Sequence, residues 1–280
     1  MRVLLTGANG RLARSLLETA PSNVRIVART RAELDVTSAG AIARDLERSK
    51  PDIIVNAAAY TSVDRAEHDV VAAESVNGLA PGLLGAAAAR IGATVVHFST
   101  DHVFDGTSLT PYAETSLTNP INAYGLSKLH GELSLRDSGA PHLIVRTQWL
   151  FGDGGRSFPD AMWSRARAHL PTRVVDDQTG APTFVGDLAR AVWSLLDRKG
   201  VIHVASKGVT TGYEVARRIF SAVDASDLLT PCHTSEYPVA ARRPPNAALD
   251  TTRLATLGIT LPSWTDAIDR FVARRISSEQ

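Results

Sequence analysis

The sequence holds a single cysteine, Cys232, in 280 residues. One thiol excludes an internal disulfide framework and a metal site built on several cysteines, and it fits a reducing compartment. Cys232 is read as inert. Excess charge is missing too: 30 Lys and Arg against 29 Asp and Glu leave a net charge of +1, with neither a basic patch for nucleic acid nor an acidic tail. No apolar stretch approaches membrane-spanning length. The opening "RVLLTGANGR" turns into a glycine loop too early to be a secretory signal. Repeats and low-complexity tracts are absent. The expectation is a cytoplasmic protein with small-molecule partners, and neither nucleic acid nor membrane among them.

What is present is 44% apolar residues, enough for a substantial core in a chain of this length. Short runs rich in β-branched residues alternate with Ala/Leu-rich helical patterns: "RVLLT", a helix near 11 to 20, "VRIVA", a helix near 39 to 49, "DIIVNAAA", a helix near 71 to 91, then "ATVVHFST". Such alternation predicts an α/β fold with a Rossmann-type doubly wound parallel sheet. Beyond "HLIVRTQWL" the pattern loosens into loops with many prolines. Residues 1–150 are therefore expected to form the dinucleotide-binding domain and 151–280 a smaller substrate-binding domain. A segment at about 185–205 should return to the sheet.

Directly after the first strand stands Gly7-Ala8-Asn9-Gly10-Arg11-Leu12-Ala13, a G-x-x-G-x-x-G/A loop ending in alanine. Glycines there permit a tight turn and close approach to a pyrophosphate, and the following helix offers unpaired N–H donors to the anion. At the end of the second strand an acid would receive the 2′-hydroxyl of an NAD ribose, but this chain has "VARTR". Arg29 and Arg31 suit the 2′-phosphate of NADP instead, and Arg11 is a further candidate for it.

The segment "NPINAYGLSKLHGE" puts Tyr124 and Lys128 one helical turn apart, on one face. Asn119 as cap, Pro120 at the first helical position and Gly139 beyond the far end frame that helix. Thr100 closes the strand "ATVVHFST", where ligands of open α/β sheets bind. A ketone reduced by hydride needs a proton donor at its oxygen. Tyr124 can supply it, with Lys128 expected to lower the phenol pKa and to hold ribose hydroxyls, while Thr100 orients the carbonyl. His97, inside the strand, reads as a core histidine. His102, at the mouth of the site, is equally a substrate contact or a satisfied polar residue.

"LDVT", "KPDIIVNAAAYTSVDRAE", "STDHVFDG", "PYAE", "NPINAYGLSKLHGE", "IVRTQWLFG", "DDQTGAPT" and "RRPPNAALD" follow one another in order. With them the chain resembles the dTDP-4-dehydrorhamnose reductase family, within the extended short-chain dehydrogenases/reductases, over nearly its whole length. The resemblance implies NADPH-dependent reduction of the C4 ketone of a dTDP-6-deoxyhexose in deoxysugar formation. It implies Thr100, Tyr124 and Lys128 as the catalytic trio and Gly7, Gly10, Arg11 and Leu12 on the pyrophosphate. Asp35 then lies near adenine, and Ala57, Ala58, Ala59 and Thr61 along the cofactor. Val63, Asp101, Phe104 and Trp149 form the sugar-facing wall. Gln178 to Thr183, Pro182 included, and Arg243 face the nucleotide diphosphate.

Two departures stand out: Ala13 replaces the third loop glycine, and His102 stands where the family usually has tyrosine. His102 leaves the sugar open, with reductases of antibiotic pathways such as dihydrostreptose as alternatives. A non-catalytic NADP-binding regulatory subunit of the same superfamily is the other alternative. Some family members are metal-dependent dimers, so a homodimer is compatible with the resemblance. No ligand cluster of recognisable spacing is present, and no metal is expected.

Overall fold

The computed structural model describes residues 1–153 and 156–278. Five strands alternate with helices: β1 (Arg2–Thr6), β2 (Arg25–Arg29), β3 (Ile53–Asn56), β4 (Thr94–Thr100) and β5 (His142–Thr147). With the strand Gly200–His203 they form one parallel sheet, ordered Gly200–His203, β5, β4, β3, β1, β2. The chain leaves β1 toward β2 on one side and continues with β3 on the other. The order therefore reverses beside β1, and the crevice for a ligand opens above Thr6 and Asn56, which pair there.

Both faces of the sheet are covered, which is why its strands read as continuous apolar runs. Val3, Leu5, Val55, Val96 and Val145 pack on one side with Leu188, Val192 and Leu254. Leu4, Ile54, Val95 and Ile144 pack on the other with Ile42, Leu46, Leu84 and Leu135. Each such fully buried side chain contributes about 1.5–3 kcal/mol. A separate core gathers Phe151, Met162, Trp163, Phe184, Phe220, Ile268 and Phe271 beneath the C-terminal segment. The segment Val185–His203 supplies a helix and a strand to the sheet side, as does Leu254 from beyond it.

The two helices that follow the first two strands end where their chemistry dictates. Helix α1 (Arg11–Glu18) begins after Gly10, which offers no side-chain cap. Helix α2 (Ala39–Ser49) is capped by Ser38, whose hydroxyl accepts from the Ala41 N–H. The run Val70–Ile91 is one helical stretch that becomes π-helical over Glu74–Leu79, which helical periodicity alone did not foretell. By length and composition those 22 residues could cross a bilayer, contrary to expectation, yet Ala80, Leu84 and Ala88 are buried in the sheet core.

Candidate active site

The helix bearing Tyr124 and Lys128 runs over Ala123–Asp137, three residues later than Asn119 and Pro120 suggested. Its cap is Asn122, whose Oδ1 accepts from the Gly125 N–H at 2.7 Å. Asn119 is instead tied to the loop below: its N–H donates to the Val103 carbonyl and its side chain to Asp105. Glu67, from the segment after β3, accepts from the Ala123 N–H, another donor that a helix start leaves unpaired. Gly139 follows the helix in the left-handed region, as its position past the helix end suggested.

Thr100, Tyr124 and Lys128 line one cleft of about 660 Å³. The Thr100 hydroxyl donates to Asp101 at 2.8 Å and accepts from the His102 N–H at 3.2 Å. A hydrogen bond with Thr100 works to lower the Tyr124 pKa, but burial and the nearby Asp101 prevail and push the phenol up to about 12. Lys128 was expected to lower it. In this structure the Lys128 ammonium is turned to the Phe98 carbonyl at 2.5 Å, and burial drives its own pKa down to about 8. At neutral pH the phenol is thus the protonated form, which a proton donor requires.

The same cleft is lined by Gly10, Arg11, Leu12, Ala57, Ala58, Ala59, Thr61 and Val63. A dinucleotide fits this wall. Gly7 has φ +68°, and a Cβ on it would come within 2.7 Å of Ala58 N and 2.8 Å of the Ala57 carbonyl, so backbone approach here needs glycine. The first turn of α1 carries no acid and no capping side chain, leaving its N–H donors to an anion. Arg11 reaches across to the Leu150 carbonyl at 3.0 Å.

Arg29 and Arg31 part company. Arg29 Nε donates to the buried Asp45 at 3.0 Å, so its charge is spent inside the fold. Arg31 is exposed and borders a cavity that shares Ala59 and Thr61 with the cleft of Thr100, Tyr124 and Lys128 and also takes in Arg65. Asp35 is exposed and accepts from the N–H and hydroxyl of Thr37, a local turn contact.

A second cavity, about 640 Å³, adjoins the first and shares His102, Trp149 and Leu150 with it. Gln178, Pro182 and Arg243 line it. Arg243 is held by Asp64 at 2.7 Å and by the Ala241 carbonyl. Trp149 adopts φ +46°, a costly conformation for a bulky residue, and its indole lies so close to Gly180 that a Cβ there would meet it at 2.6 Å. The indole is fixed as a wall between the two spaces.

Two residues expected to face the substrate, Phe104 at the sugar and Thr183 at the diphosphate, are placed elsewhere. Phe104 is fully buried, stacked on Tyr112 at 4.2 Å between ring centroids and under the Arg146 guanidinium. Thr183 is also fully buried, donating to the Ala181 carbonyl and accepting from the Ser206 N–H. Pro182, next to Thr183, lines the second cavity, whereas Val103, next to Phe104, is buried in the same small core as Phe104.

Sequence reasoning missed three residues that assemble the site. Asn122 uses its two amide protons on His102 Nδ1 at 2.9 Å and the Arg242 carbonyl at 2.8 Å. Asp64 anchors Arg243. Asn77, buried in the π-helical segment, accepts from Tyr60 N–H and donates to the Tyr60 carbonyl and to Ser127, locking the segment after β3 to the helix beside Lys128. A π segment is itself a common mark of functional sites, but nothing in the sequence pattern announces it.

A family model described as "RmlD substrate binding domain" matches residues 1–276. The chain belongs to the dTDP-4-dehydrorhamnose reductase family. It is 40% identical to a dTDP-4-dehydrorhamnose reductase of Burkholderia thailandensis, covering 96% of this chain and 97% of that protein. It is 35% identical to the Escherichia coli enzyme of that name over 85% and 84% of the two chains. Among solved structures, a Bacillus anthracis dTDP-4-dehydrorhamnose reductase in complex with NADP superimposes with a TM-score of 0.93 at 33% identity, covering 98% of this chain and 99% of that one. A dTDP-4-dehydrorhamnose reductase from Clostridium acetobutylicum matches with a TM-score of 0.93 at 36% identity, over 98% and 99% of the two chains.

Proposed function

We propose that the chain is an NADPH-dependent oxidoreductase that reduces the C4 ketone of a dTDP-4-keto-6-deoxyhexose, in deoxysugar biosynthesis. The observation that carries this reading is the meeting of two cavities at His102 and Trp149, with Thr100, Tyr124 and Lys128 on the floor of the first. One space has the glycine turn and helix start that a dinucleotide needs; the other has an indole wall and the arginine that a diphosphate needs.

The residues that would hold NADPH are Gly7, Gly10, Arg11 and Leu12 at the pyrophosphate, Ala57 to Ala59 and Thr61 along its length, and Arg31 at the 2′-phosphate. When bound, the cofactor supplies the hydride that converts the ketone to an alcohol. The protein's own work is at the oxygen. Tyr124 donates the phenolic proton as charge develops there. Thr100, its hydroxyl fixed by Asp101 and the His102 N–H, orients the carbonyl, and Lys128 engages the ribose.

His102 supports a second reading within the same chemistry. Burial holds this imidazole below its usual pKa, so at neutral pH it is uncharged, and with Nδ1 accepting from Asn122 it carries its proton on Nε2. A neutral N–H where the family usually has a phenol changes the hydrogen bonding offered to the sugar, which leaves a related dTDP-4-keto sugar as the alternative to the rhamnose precursor. Loss of NADPH absorbance with a panel of dTDP-4-keto-6-deoxyhexoses tests both readings. NADPH binding without turnover of any panel member would overturn the enzymatic one.

A further inference from the structure

His97 is buried at 1% exposure, on the side of Lys128 that the proposed reaction does not use. Its Nε2 lies 3.4 Å from Lys128 Nζ, and its Nδ1 lies 3.2 Å from Asn56 Nδ2. The orientation of the Asn56 amide is set from the cofactor wall. The Thr6 hydroxyl donates to Asn56 Oδ1 at 2.7 Å, and the Ala58 N–H converges on the same oxygen at 3.3 Å. Two donors demand the carbonyl oxygen there, so Nδ2 faces His97 and His97 Nδ1 must accept. A neutral imidazole has one proton. It is therefore on Nε2, pointing at Lys128.

We propose that His97 is a positioning residue for Lys128: held by Asn56 in the Nε2–H tautomer, it turns a donor toward Nζ and keeps that ammonium ready to release a proton. Two donors facing each other in a buried site are mismatched, and the mismatch is relieved when Lys128 is the neutral amine accepting from His97. The other charged groups around Lys128 do not offset this. Glu132, one turn along the helix, favours the ammonium, but it is bound by Arg146 through two hydrogen bonds at 2.8 and 2.7 Å. Asp101 on the β4 side spends one oxygen on Thr100. Burial already brings the Lys128 pKa down to about 8, and His97 is held well below its usual value by burial and by Lys128 itself; the tautomer adds to that direction. On the reading under Proposed function, the Lys128 ammonium can return a proton to the Tyr124 phenolate after each turnover, becoming the neutral amine that accepts from His97 and then recovering a proton from water, so the phenol is restored and protons balance.

The test needs neither substrate nor cofactor, so its failure is separable from failure of the proposed activity. The chain has four lysines. Labelling their ε-carbons with ¹³C gives four NMR titrations, and loss of one signal in Lys128→Met assigns Lys128. Lys128 is expected to titrate well below the other three. In His97→Phe, which keeps a buried ring and removes the donor, its midpoint should rise by about one pH unit. His97→Gln, whose amide can accept from Asn56 and donate to Nζ, should keep the midpoint low. An unchanged or lower midpoint in folded His97→Phe overturns the proposal. So, in the wild-type protein and whatever the variants do, would ¹⁵N shifts showing His97 protonated on Nδ1.

Discussion

Asn122 Nδ2 and His102 Nδ1 lie 2.9 Å apart, and this one contact joins the cap of the Tyr124 helix to a residue that lines both cavities. The same Asn122 side chain holds the Gly125 N–H and the Arg242 carbonyl, next to Arg243, which lines the second cavity. Helix start and second cavity are therefore one construction. Asn122→Asp keeps the capping oxygen but removes both amide donors. Folding should survive with a modest fall in Tm, while KM for the sugar nucleotide rises roughly 5- to 30-fold, the worth of about 1–2 kcal/mol of hydrogen bonding. The NADPH dissociation constant should stay within about twofold of wild type, since neither lost bond is made to a residue expected to hold that cofactor. If both constants rise together, His102 and Asn122 do not define the sugar pocket. A parallel check is His102→Tyr, which should reorder the preferred dTDP-4-keto sugars.

Cofactor preference should rest on Arg31. Arg31→Ala is expected to reduce the ratio of kcat/KM for NADPH over NADH by roughly tenfold or more, as loss of a charged hydrogen bond requires. Arg29→Ala should leave that ratio alone and lower stability by about 1–3 kcal/mol, because Asp45 is buried and keeps only the exposed Arg48 as partner. A fall in the ratio with Arg29→Ala and none with Arg31→Ala would reverse the assignment.

Acid should weaken the fold sooner than carboxylate titration alone would. His97 and His203 are at most 1% exposed, and burial holds both below the ordinary value, His203 down to about 3. A depressed folded-state pKa gives stability that is complete above the unfolded value of about 6.5 and is lost as pH falls toward the folded value. Between pH 6.5 and 5.5 the two together should cost on the order of 2 kcal/mol. Urea unfolding at pH 7.5, 6.5 and 5.5 measures it. A flat profile across that range would mean that these histidines take up protons to the same extent in the native and unfolded states.

The features legible in sequence were those written in local spacing. Gly7 and Gly10 after a strand, Thr100 at a strand end, and Tyr124 four residues before Lys128 each need only chain geometry, and the structure gathers Gly10, Thr100, Tyr124 and Lys128 on one cleft. Roles that depend on a distant partner were not legible. Arg29 looks free until Asp45 is seen beneath it, 16 residues on. Phe104 looks like pocket wall until Tyr112 and Arg146 enclose it. Asn119 and Asn122 are equivalent caps by composition, and the choice falls to Asp105 and Val103, which tether the first. His97 read as ordinary core because its partners, Asn56 and Lys128, come from another strand and a helix.

The proton donor can be isolated most cleanly. Tyr124→Phe keeps the ring, including its edge contact with His102 at 5.5 Å between centroids, and deletes only the hydroxyl. Folding and NADPH binding should persist while kcat falls by roughly 10²–10⁴, the usual worth of general acid catalysis. With the phenol held near 12, wild-type Tyr124 itself should not limit turnover on the alkaline side before the protein's other groups do. An alkaline limb near pH 8 would belong to Lys128, whose pKa is about 8. Lys128→Met should then abolish that limb and also weaken NADPH binding if the proposed roles of the ammonium, ribose contact and proton transfer, both hold. Thr100→Val should lower kcat with little change in either binding constant. Near wild-type turnover in a folded Tyr124→Phe protein would move the proton to another group, and His102, the ring packed edge-on against Tyr124, is the next residue in reach.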